Sequence, residues 1–248
     1  MKRLLPGLFL VAALSGGERI TLPLDGLWQI EESVSPDDLP AAFRHQAPVP
    51  GLANLATPPF PDVDQFDSRE LIRNRVRRKQ LPESALITTV GIPRQNRNYF
   101  WYQRTFRAPA RKQVAILRVN KAQFGTAVWL NGKKIGEHHG CFTAGWFDLT
   151  AALDWTGENR LLVRIGAHPA AVPASVPTGT DNEKLKWTPG IYDSVALLLS
   201  DNPVIESVQV APRLGESAIL VETRVKNHGA AGASFRLGHQ VRGWKAPP

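Results

Sequence analysis

The segment from Val128 to Ile135 constrains the fold of this chain more strongly than any other part of the sequence. It places Asn131 and Gly132 between two runs of strand-forming residues. Asn-Gly is the preferred pair for a type I′ turn, because both central residues of that turn need a positive φ. We therefore predict a β-hairpin centred on this pair.

Short segments of the same kind recur along the chain. Each is rich in β-branched, aromatic or leucine residues and is bounded by Gly, Pro, Asn or Asp, which predicts a strand. The segments are 101–106, 114–119, 126–130, 161–165, 195–199, 204–210, 219–225 and 235–241. Because these strands do not alternate with helices, the sequence predicts an all-β chain whose main domain is a jelly-roll β-sandwich.

One helix is predicted, from Asp67 to Gln80, since Asp67 and Glu70 have the spacing of a capping box and neither Pro nor Gly interrupts the segment. The helix holds much of the basicity of a chain whose formal net charge is +8. A basic cluster can bind nucleic acid or an anionic polymer. No aromatic residue interleaves with these arginines, so we expect a solvent-exposed helix and no nucleic-acid partner.

Residues 1–15 have the features of a signal peptide. Lys2 and Arg3 precede an apolar run from Leu4 to Leu14, and Ala13 and Ser15 fit the small-residue cleavage pattern. The run is shorter than the roughly 20 apolar residues that a membrane span needs. We expect a secreted or periplasmic protein without a membrane span; a buried N-terminal strand is the alternative.

The remaining residues are predicted to form two domains. A jelly-roll domain is expected over 19–201, and a boundary is expected near Asp201, Asn202 and Pro203. The strands predicted within 202–248 are fewer than the roughly seven of an immunoglobulin-like sandwich. We therefore expect an incomplete immunoglobulin-like domain there.

Several motifs follow one another in a fixed order. They are Asp25-Gly-Leu-Trp28, Tyr99-Phe-Trp-Tyr-Gln-Arg-Thr-Phe106, Ala127-Val-Trp-Leu-Asn-Gly132 with Gly136, His138 and Gly140, Phe147-Asp-Leu-Thr150, Glu158-Asn159 with Leu162-Val-Arg164, and Trp187-Thr-Pro-Gly-Ile-Tyr192. Together they resemble the N-terminal sugar-binding, galactose-binding-like domain of glycoside hydrolase family 2, the family of β-galactosidases, β-glucuronidases and β-mannosidases. From the residues alone, Trp28, Trp101, Trp129 and Trp146 are expected in the sandwich interior. Asp148 is expected to accept backbone N–H bonds.

The resemblance implies retaining glycoside hydrolysis, in which two carboxyl groups about 5 to 5.5 Å apart act as acid and nucleophile. It also implies that both groups belong to a TIM-barrel domain following the two β domains. No barrel motif is present in this sequence, and no pair of acidic residues stands out, so no catalytic residue is assigned. We expect the N-terminal part of an exported glycosidase, truncated before its catalytic barrel and inactive alone. The expected partners are carbohydrate and the missing barrel.

The resemblance further implies that loops of this domain reach the rim of the active site. The corresponding residues are Asp181, Asn182, Glu183, Trp187 and Asn98. Lys184 and Asp193 depart from the pattern of the family, which has an acidic residue nearer the Trp and often an Arg after the Tyr. A free-standing carbohydrate-binding module and a purely structural scaffold are the alternative functions.

No metal or cofactor site is predicted. His138 and His139 are adjacent on a predicted strand, so their side chains point to opposite faces and do not converge with Cys141 on a metal ion. Cys141 is the only cysteine, which excludes an intrachain disulfide and favours a buried, inert thiol. The glycines of the hairpin region are not arranged as a phosphate-binding loop.

Overall fold

A computed structural model describes residues 18–61, 63, 69–85, 97–179 and 188–241, with the backbone alone for 69–72. The chain divides into two compact units, Met1–Ser200 and Asp201–Pro248. The predicted signal peptide lies outside the described residues. Among the described residues, no helix has the length and apolar character needed to cross a membrane.

The first unit contains twelve of the fourteen described strands and the helix. Its elements are β1 (Ile20–Pro23), β2 (Gly26–Ser33), β3 (His45–Val49), β4 (Gly51–Leu52), α1 (Arg69–Arg77), β5 (Tyr99–Phe106), β6 (Val114–Val119), β7 (Thr126–Leu130), β8 (Lys133–His138), β9 (Gly145–Asp148), β10 (Asn159–Gly166), β11 (Gly190–Ile191) and β12 (Val195–Ser200). The second unit contains β13 (Val204–Arg213) and β14 (Ala218–Lys226).

The strands of the first unit form a β-sandwich, as predicted. One sheet has six strands in the order β3-β2-β5-β10-β7-β8, and the other has four in the order β1-β12-β6-β9. All of their pairings are antiparallel. Alternate residues of both sheets, such as Tyr102 and Leu117, meet in one apolar core. Burial of this shared apolar surface holds the two layers together.

The predicted hairpin is confirmed and joins β7 to β8. Asn131 has φ of 51° and Gly132 has φ of 82°, as a type I′ turn requires. The Asn131 side chain also ties the turn to β10, because its Oδ1 accepts a hydrogen bond of 2.9 Å from the Arg160 backbone N–H. Its Nδ2 donates to Asn159 Oδ1 at 2.8 Å. The asparagine therefore fixes both the turn and its neighbouring strand.

Asp25 and Trp28 link the start of β2 to the four-stranded sheet. The Val195 backbone N–H donates to Asp25 Oδ1 at 2.8 Å. The indole Nε1 of Trp28 donates to the Leu24 carbonyl at 2.7 Å, which satisfies the polar atom of a side chain buried in the core. The predicted backbone contact of Asp148 is also confirmed, since its Oδ1 accepts from the Thr150 N–H at 3.0 Å.

The tryptophans do not all lie in the interior. Trp28 belongs to the core, and Trp101 is buried on the face of β5 opposite the core residue Tyr102. Trp129 is half-buried beside Trp101, with ring centroids 4.8 Å apart. The prediction of an interior position is therefore wrong for Trp101 and Trp129, which lie on the outer face of their sheet. It is also wrong for Trp146, which is 55% exposed, because Phe147 takes the inward position on β9.

Two other predictions differ from the structure. The helix is shorter than predicted, and Asp67, the residue proposed to cap it, lies outside the described residues. The strand predicted over 235–241 is wrong, since those residues are exposed and lack regular structure. A strand needs a neighbour for its backbone hydrogen bonds, and none pairs with this segment in the described part of the chain. The immunoglobulin-like nature of the second unit stays a prediction.

Candidate functional site

Most of the residues predicted to contact sugar belong to one segment, residues 180–187, which we call the rim loop. Asp181, Asn182, Glu183 and Trp187 all lie in it and are outside the described residues. The chain on either side of the rim loop is described, up to Gly179 and from Thr188 onward. The candidate site is therefore defined here by the contacts that hold these two flanks.

Gln123 holds both flanks of the rim loop. Its side chain is buried, and Nε2 donates a hydrogen bond of 2.9 Å to the Thr178 carbonyl. Its backbone N–H donates to the Gly190 carbonyl and its carbonyl accepts from the Gly190 N–H, both at 2.9 Å. One buried residue thus fixes the chain before and after the rim loop. The two described flanks therefore lie close together at Gln123.

Gly190 allows the second flank to lie directly against β4. It pairs with Leu52, and the Ala53 N–H donates to the Pro189 carbonyl at 2.8 Å. A Cβ at position 190 would lie 2.4 Å from the Gly51 carbonyl oxygen and 2.6 Å from Leu52 Cα. Both are backbone atoms, so only glycine fits without moving the chain. This contact explains the glycine of the Trp-Thr-Pro-Gly-Ile-Tyr motif.

Asn98 is the one predicted sugar contact within the described residues. It is buried, and its Nδ2 donates to the Val34 carbonyl at 2.9 Å. Its Oδ1 lies 3.0 Å from His168 Nε2, and its carbonyl accepts from the Ala167 N–H at 2.8 Å. These contacts give the Asn98 amide a supporting role in the sandwich. Its contact with sugar stays a prediction.

His168 is the buried partner of Asn98 and is 2% exposed. Because Asn98 Nδ2 is directed to Val34, its Oδ1 acts as acceptor, so His168 carries a proton on Nε2. Burial disfavours the charged imidazolium and lowers the pKa of His168 to about 4. The imidazole is therefore neutral at neutral pH and acts as a fixed hydrogen-bond donor.

Arg97 adds a buried ion pair directly before Asn98. Its Nε donates to Glu32 Oε2 at 2.6 Å, and its Nη2 donates to the Pro61 carbonyl at 2.8 Å. The guanidinium carbon lies 5.3 Å from the ring centroid of Phe100. Removing one partner of such a pair leaves a buried charge uncompensated. Arg97 therefore locks the chain as it enters β5.

Asp193 follows the second flank and departs from the family pattern. Its carboxylate forms an ion pair with Lys121. Its Oδ2 lies 3.1 Å from Lys121 Nζ, and its Oδ1 accepts from the Ser194 N–H at 2.7 Å. The Ser194 N–H, followed by Lys121, holds the pKa of Asp193 below its usual range. This carboxylate remains ionised and bound within the protein.

The resolved pKa shifts of carboxyl groups in the described residues all have one direction. The groups with a shifted pKa are all shifted downward: Glu31, Glu137, Asp154 and Asp193. Burial raises the pKa of Glu31, but the hydrogen bonds from Arg44 and from the Glu32 N–H, together with the charge of Arg44, outweigh it and lower the pKa. The Lys134 hydrogen bond lowers the pKa of Glu137, and the Thr156 N–H lowers that of Asp154. A glycosidase acid needs the opposite shift.

The cysteine and histidines near the hairpin have separate contacts. His138 Nε2 lies 3.0 Å from Thr143 Oγ1, and the Tyr192 hydroxyl donates to the Cys141 carbonyl. The Cys141 thiol is buried, as predicted, and burial raises its pKa. Within the described ranges, no group of three or more His, Cys, Asp or Glu side chains is placed to hold a metal ion.

Part of this chain, including several of the residues described above, matches a known protein family. The model of the glycosyl hydrolase 2 galactose-binding domain-like family matches residues 88–185. Over these residues the chain is similar to the galactose-binding-like domain of glycoside hydrolase family 2. The matched region begins before Arg97, includes the hairpin and Gln123, and ends inside the rim loop. No curated protein sequence is similar enough to this chain to be matched to it.

Solved structures share the fold of this chain. The Lactobacillus rhamnosus β-glucuronidase has a TM-score of 0.53 and 21% identity, covering 87% of this chain and 34% of its own. The Ruminococcus gnavus β-glucuronidase has a TM-score of 0.53 and 19% identity, with coverage of 86% and 34%. The Dictyoglomus thermophilum β-glucuronidase has a TM-score of 0.51 and 17% identity, with coverage of 85% and 33%. The chain therefore spans about a third of the length of these solved relatives.

Sequence reasoning missed three residues with supporting contacts: Gln123, Arg97 and His168. Gln123 carries a local signal, because it is a polar residue between Ala122 and Phe124 in a segment bounded by strand-like runs. Arg97 and His168 carry none, since their roles depend on partners that are distant in sequence. Gln123 therefore holds the flanks of the rim loop, whereas Arg97 and His168 hold the chain at the start of β5.

Proposed function

We propose that this chain is the N-terminal, non-catalytic part of an exported family 2 glycosidase that hydrolyses O-glycosidic bonds. The observation that carries the proposal is the family match over 88–185, together with solved relatives in which the same fold makes up about a third of the polypeptide. The remaining two thirds of such an enzyme are long enough to contain a catalytic barrel. The first domain then serves to position sugar at the edge of that barrel.

The carboxyl groups of the described residues support a non-catalytic role. Glu32 is paired with Arg97, Asp25 accepts the Val195 N–H, and Asp193 is bound to Lys121. Each carboxylate is bound within the fold, and the pKa of Asp193 is lowered, whereas a proton donor needs a raised pKa. The acid and the nucleophile are thus proposed to lie outside this chain, in the barrel.

The rim loop is the proposed contact with substrate. Its acidic and amide residues, Asp181, Asn182 and Glu183, offer acceptors and donors for sugar hydroxyls, and Trp187 offers an aromatic face. Gln123 and Gly190 support this role, because they fix both ends of the loop and so limit the entropy lost when it binds sugar. The solved relatives are β-glucuronidases, so a β-glucuronide is the first substrate to test.

The experiment compares the chain with a longer product of the same gene. The purified chain and the polypeptide extended by the downstream coding sequence are assayed on p-nitrophenyl β-glucuronide, β-galactoside and β-mannoside. We expect no turnover by the chain and turnover of one glycoside by the extended protein. Turnover by the chain that survives removal of contaminating activity refutes the proposal, as does a stop codon followed by an unrelated reading frame.

Export is tested separately, by expressing the chain with its own N-terminus and measuring the intact mass of the product. Cleavage after Ser15 is expected, because Ala13 and Ser15 occupy the small-residue positions of the cleavage site. A product in the cytoplasmic fraction that retains Met1 refutes export without affecting the proposed role in a glycosidase.

A further inference from the structure

Trp146 is an exposed tryptophan on a strand at the edge of a sheet. It lies on β9, the last strand of the four-stranded sheet, and 55% of its surface is exposed. Its neighbour Phe147 is 4% exposed and packs into the core, so the strand is firmly seated and its register is fixed. Apolar burial within this unit therefore does not account for the indole.

Arg118 holds the indole in place. It faces Trp146 directly across the β6–β9 pairing, and its guanidinium carbon lies 5.6 Å from the indole centroid. Arg118 Nε is buried and makes no hydrogen bond to any described residue. A cation at this distance is attracted to the ring and keeps its orientation. Since the ring is still more than half exposed, it presents its remaining face and edges to solvent.

Asp148 completes the surface with an acceptor. It lies two residues after Trp146 on the same face of β9 and is exposed, while its Oδ1 accepts from the Thr150 N–H at 3.0 Å. Residues directly opposite in a sheet have Cβ atoms about 5 Å apart, and diagonal neighbours are about 7 to 8 Å apart. We call Trp146, Arg118 and Asp148 the Trp146 patch. It joins one aromatic platform, one donor and one acceptor.

We propose that the Trp146 patch binds a neutral hexopyranose unit of a polysaccharide, at a site separate from the rim loop. The apolar C–H face of a pyranose stacks on the indole, while its hydroxyls accept from Arg118 and donate to Asp148. The opposite charges flanking the ring select the ligand class. Asp148 repels a phosphate or sulfate polymer, and an apolar protein surface would leave both charged groups desolvated. The inference takes only its ligand class, carbohydrate, from the proposed function.

Binding is tested on the full chain by isothermal titration with neutral oligosaccharides of β-glucan, β-galactan, β-mannan and xylan. Trp146→Ala is expected to weaken binding by about tenfold, the scale of one lost aromatic contact. Trp146→Phe is expected to give a smaller loss. Phe235→Ala is the matched control, because Phe235 is a similarly exposed aromatic residue, at 54%, in the second unit. It is expected to bind as the unchanged chain does.

Several outcomes overturn the inference. They are no binding of any neutral probe, equal affinity in Trp146→Ala, and equal binding of heparin or single-stranded DNA. Binding that survives in Trp146→Ala but is lost in Trp187→Ala assigns the contact to the rim loop, which refutes the patch and leaves the proposed function intact. The opposite result is also informative. If binding depends on Trp146 but the extended protein has no glycosidase activity, the patch is supported and the proposed function is refuted. Far-ultraviolet circular dichroism of each variant verifies folding.

Discussion

His168 is expected to make the stability of the sandwich depend on pH below neutrality. Burial lowers its pKa from an ordinary 6.5 to about 4. Because the folded-state pKa lies below the unfolded value, the unfolded chain takes up the proton first as the pH falls. The stabilisation from neutral His168 is therefore complete above about pH 6.5 and is lost progressively toward about pH 4.

The size of the effect follows from the same two pKa values. Each unit of difference corresponds to about 1.4 kcal/mol, so complete protonation of the unfolded state costs about 3 kcal/mol of folding stability. Between about pH 7 and about pH 5, the loss is about 2 kcal/mol. The depressed carboxyl groups, such as Glu31 and Asp193, lose their stabilisation at lower pH, since their unfolded pKa values lie near 4.

The perturbation that isolates this effect is His168→Gln. Glutamine retains an N–H donor for Asn98 Oδ1 but does not titrate. Between about pH 7 and about pH 5, the unchanged chain should lose about 2 kcal/mol more of its free energy of unfolding than the variant does. His139→Gln, which replaces an exposed histidine, is the control and should show the original pH dependence.

Urea unfolding followed by tryptophan fluorescence measures this difference, because six of the seven tryptophans belong to the first unit. Equal pH dependence in the unchanged chain and in His168→Gln refutes the reasoning. A second refutation is direct: an NMR titration in which the His168 ring of the folded protein has its midpoint near 6.5 shows that burial does not depress its pKa.

Three further predictions test the support of the rim loop and the buried thiol. Gln123→Ala removes the bond to the Thr178 carbonyl and should lower the free energy of unfolding by about 1 to 2 kcal/mol in urea; an unchanged midpoint contradicts the anchor. Gly190→Ala forces a Cβ against backbone atoms and should lower the free energy of unfolding by about 3 kcal/mol or more. Gly232→Ala is the control and should lower it far less, because no atom lies within 4 Å of the added Cβ. Equal decreases in the two variants contradict the close approach of backbone to Gly190. Cys141 is 1% exposed, so a thiol reagent should label it in urea but not in the native chain, and rapid native labelling contradicts its burial.

The parts of the fold that were predicted correctly depend on neighbouring residues alone. Asn131 and Gly132 determine their turn through their own backbone preferences, and the strand segments are recognisable from side-chain type. The segment 235–241 has the same composition as a strand, but a strand also needs a partner, which is a property of distant residues. The wrong prediction for this segment shows that side-chain type alone does not determine whether a strand forms.

The two aromatic residues at 146 and 147 show a second limit. Either residue is large enough to fill the core, and side chains alternate along a strand, so a shift of one residue exchanges their faces. The choice is made by the pairing of β9 with β6, which sets Phe147 against Leu117. That pairing cannot be read from the sequence of β9. The exposure of Trp146, and with it the proposed patch, became visible only in the fold.

The motifs that carry the family resemblance act mainly as support for the sandwich. Asp25 binds the Val195 N–H, Asn131 binds the Arg160 N–H, and Gly190 allows the chain to touch β4. Each of these contacts joins one backbone segment of the sandwich to another. The motifs therefore predict architecture better than substrate, because one fold can carry many specificities. Specificity is left to residues outside these contacts, which is why the rim loop and Trp146 are the positions to mutate first.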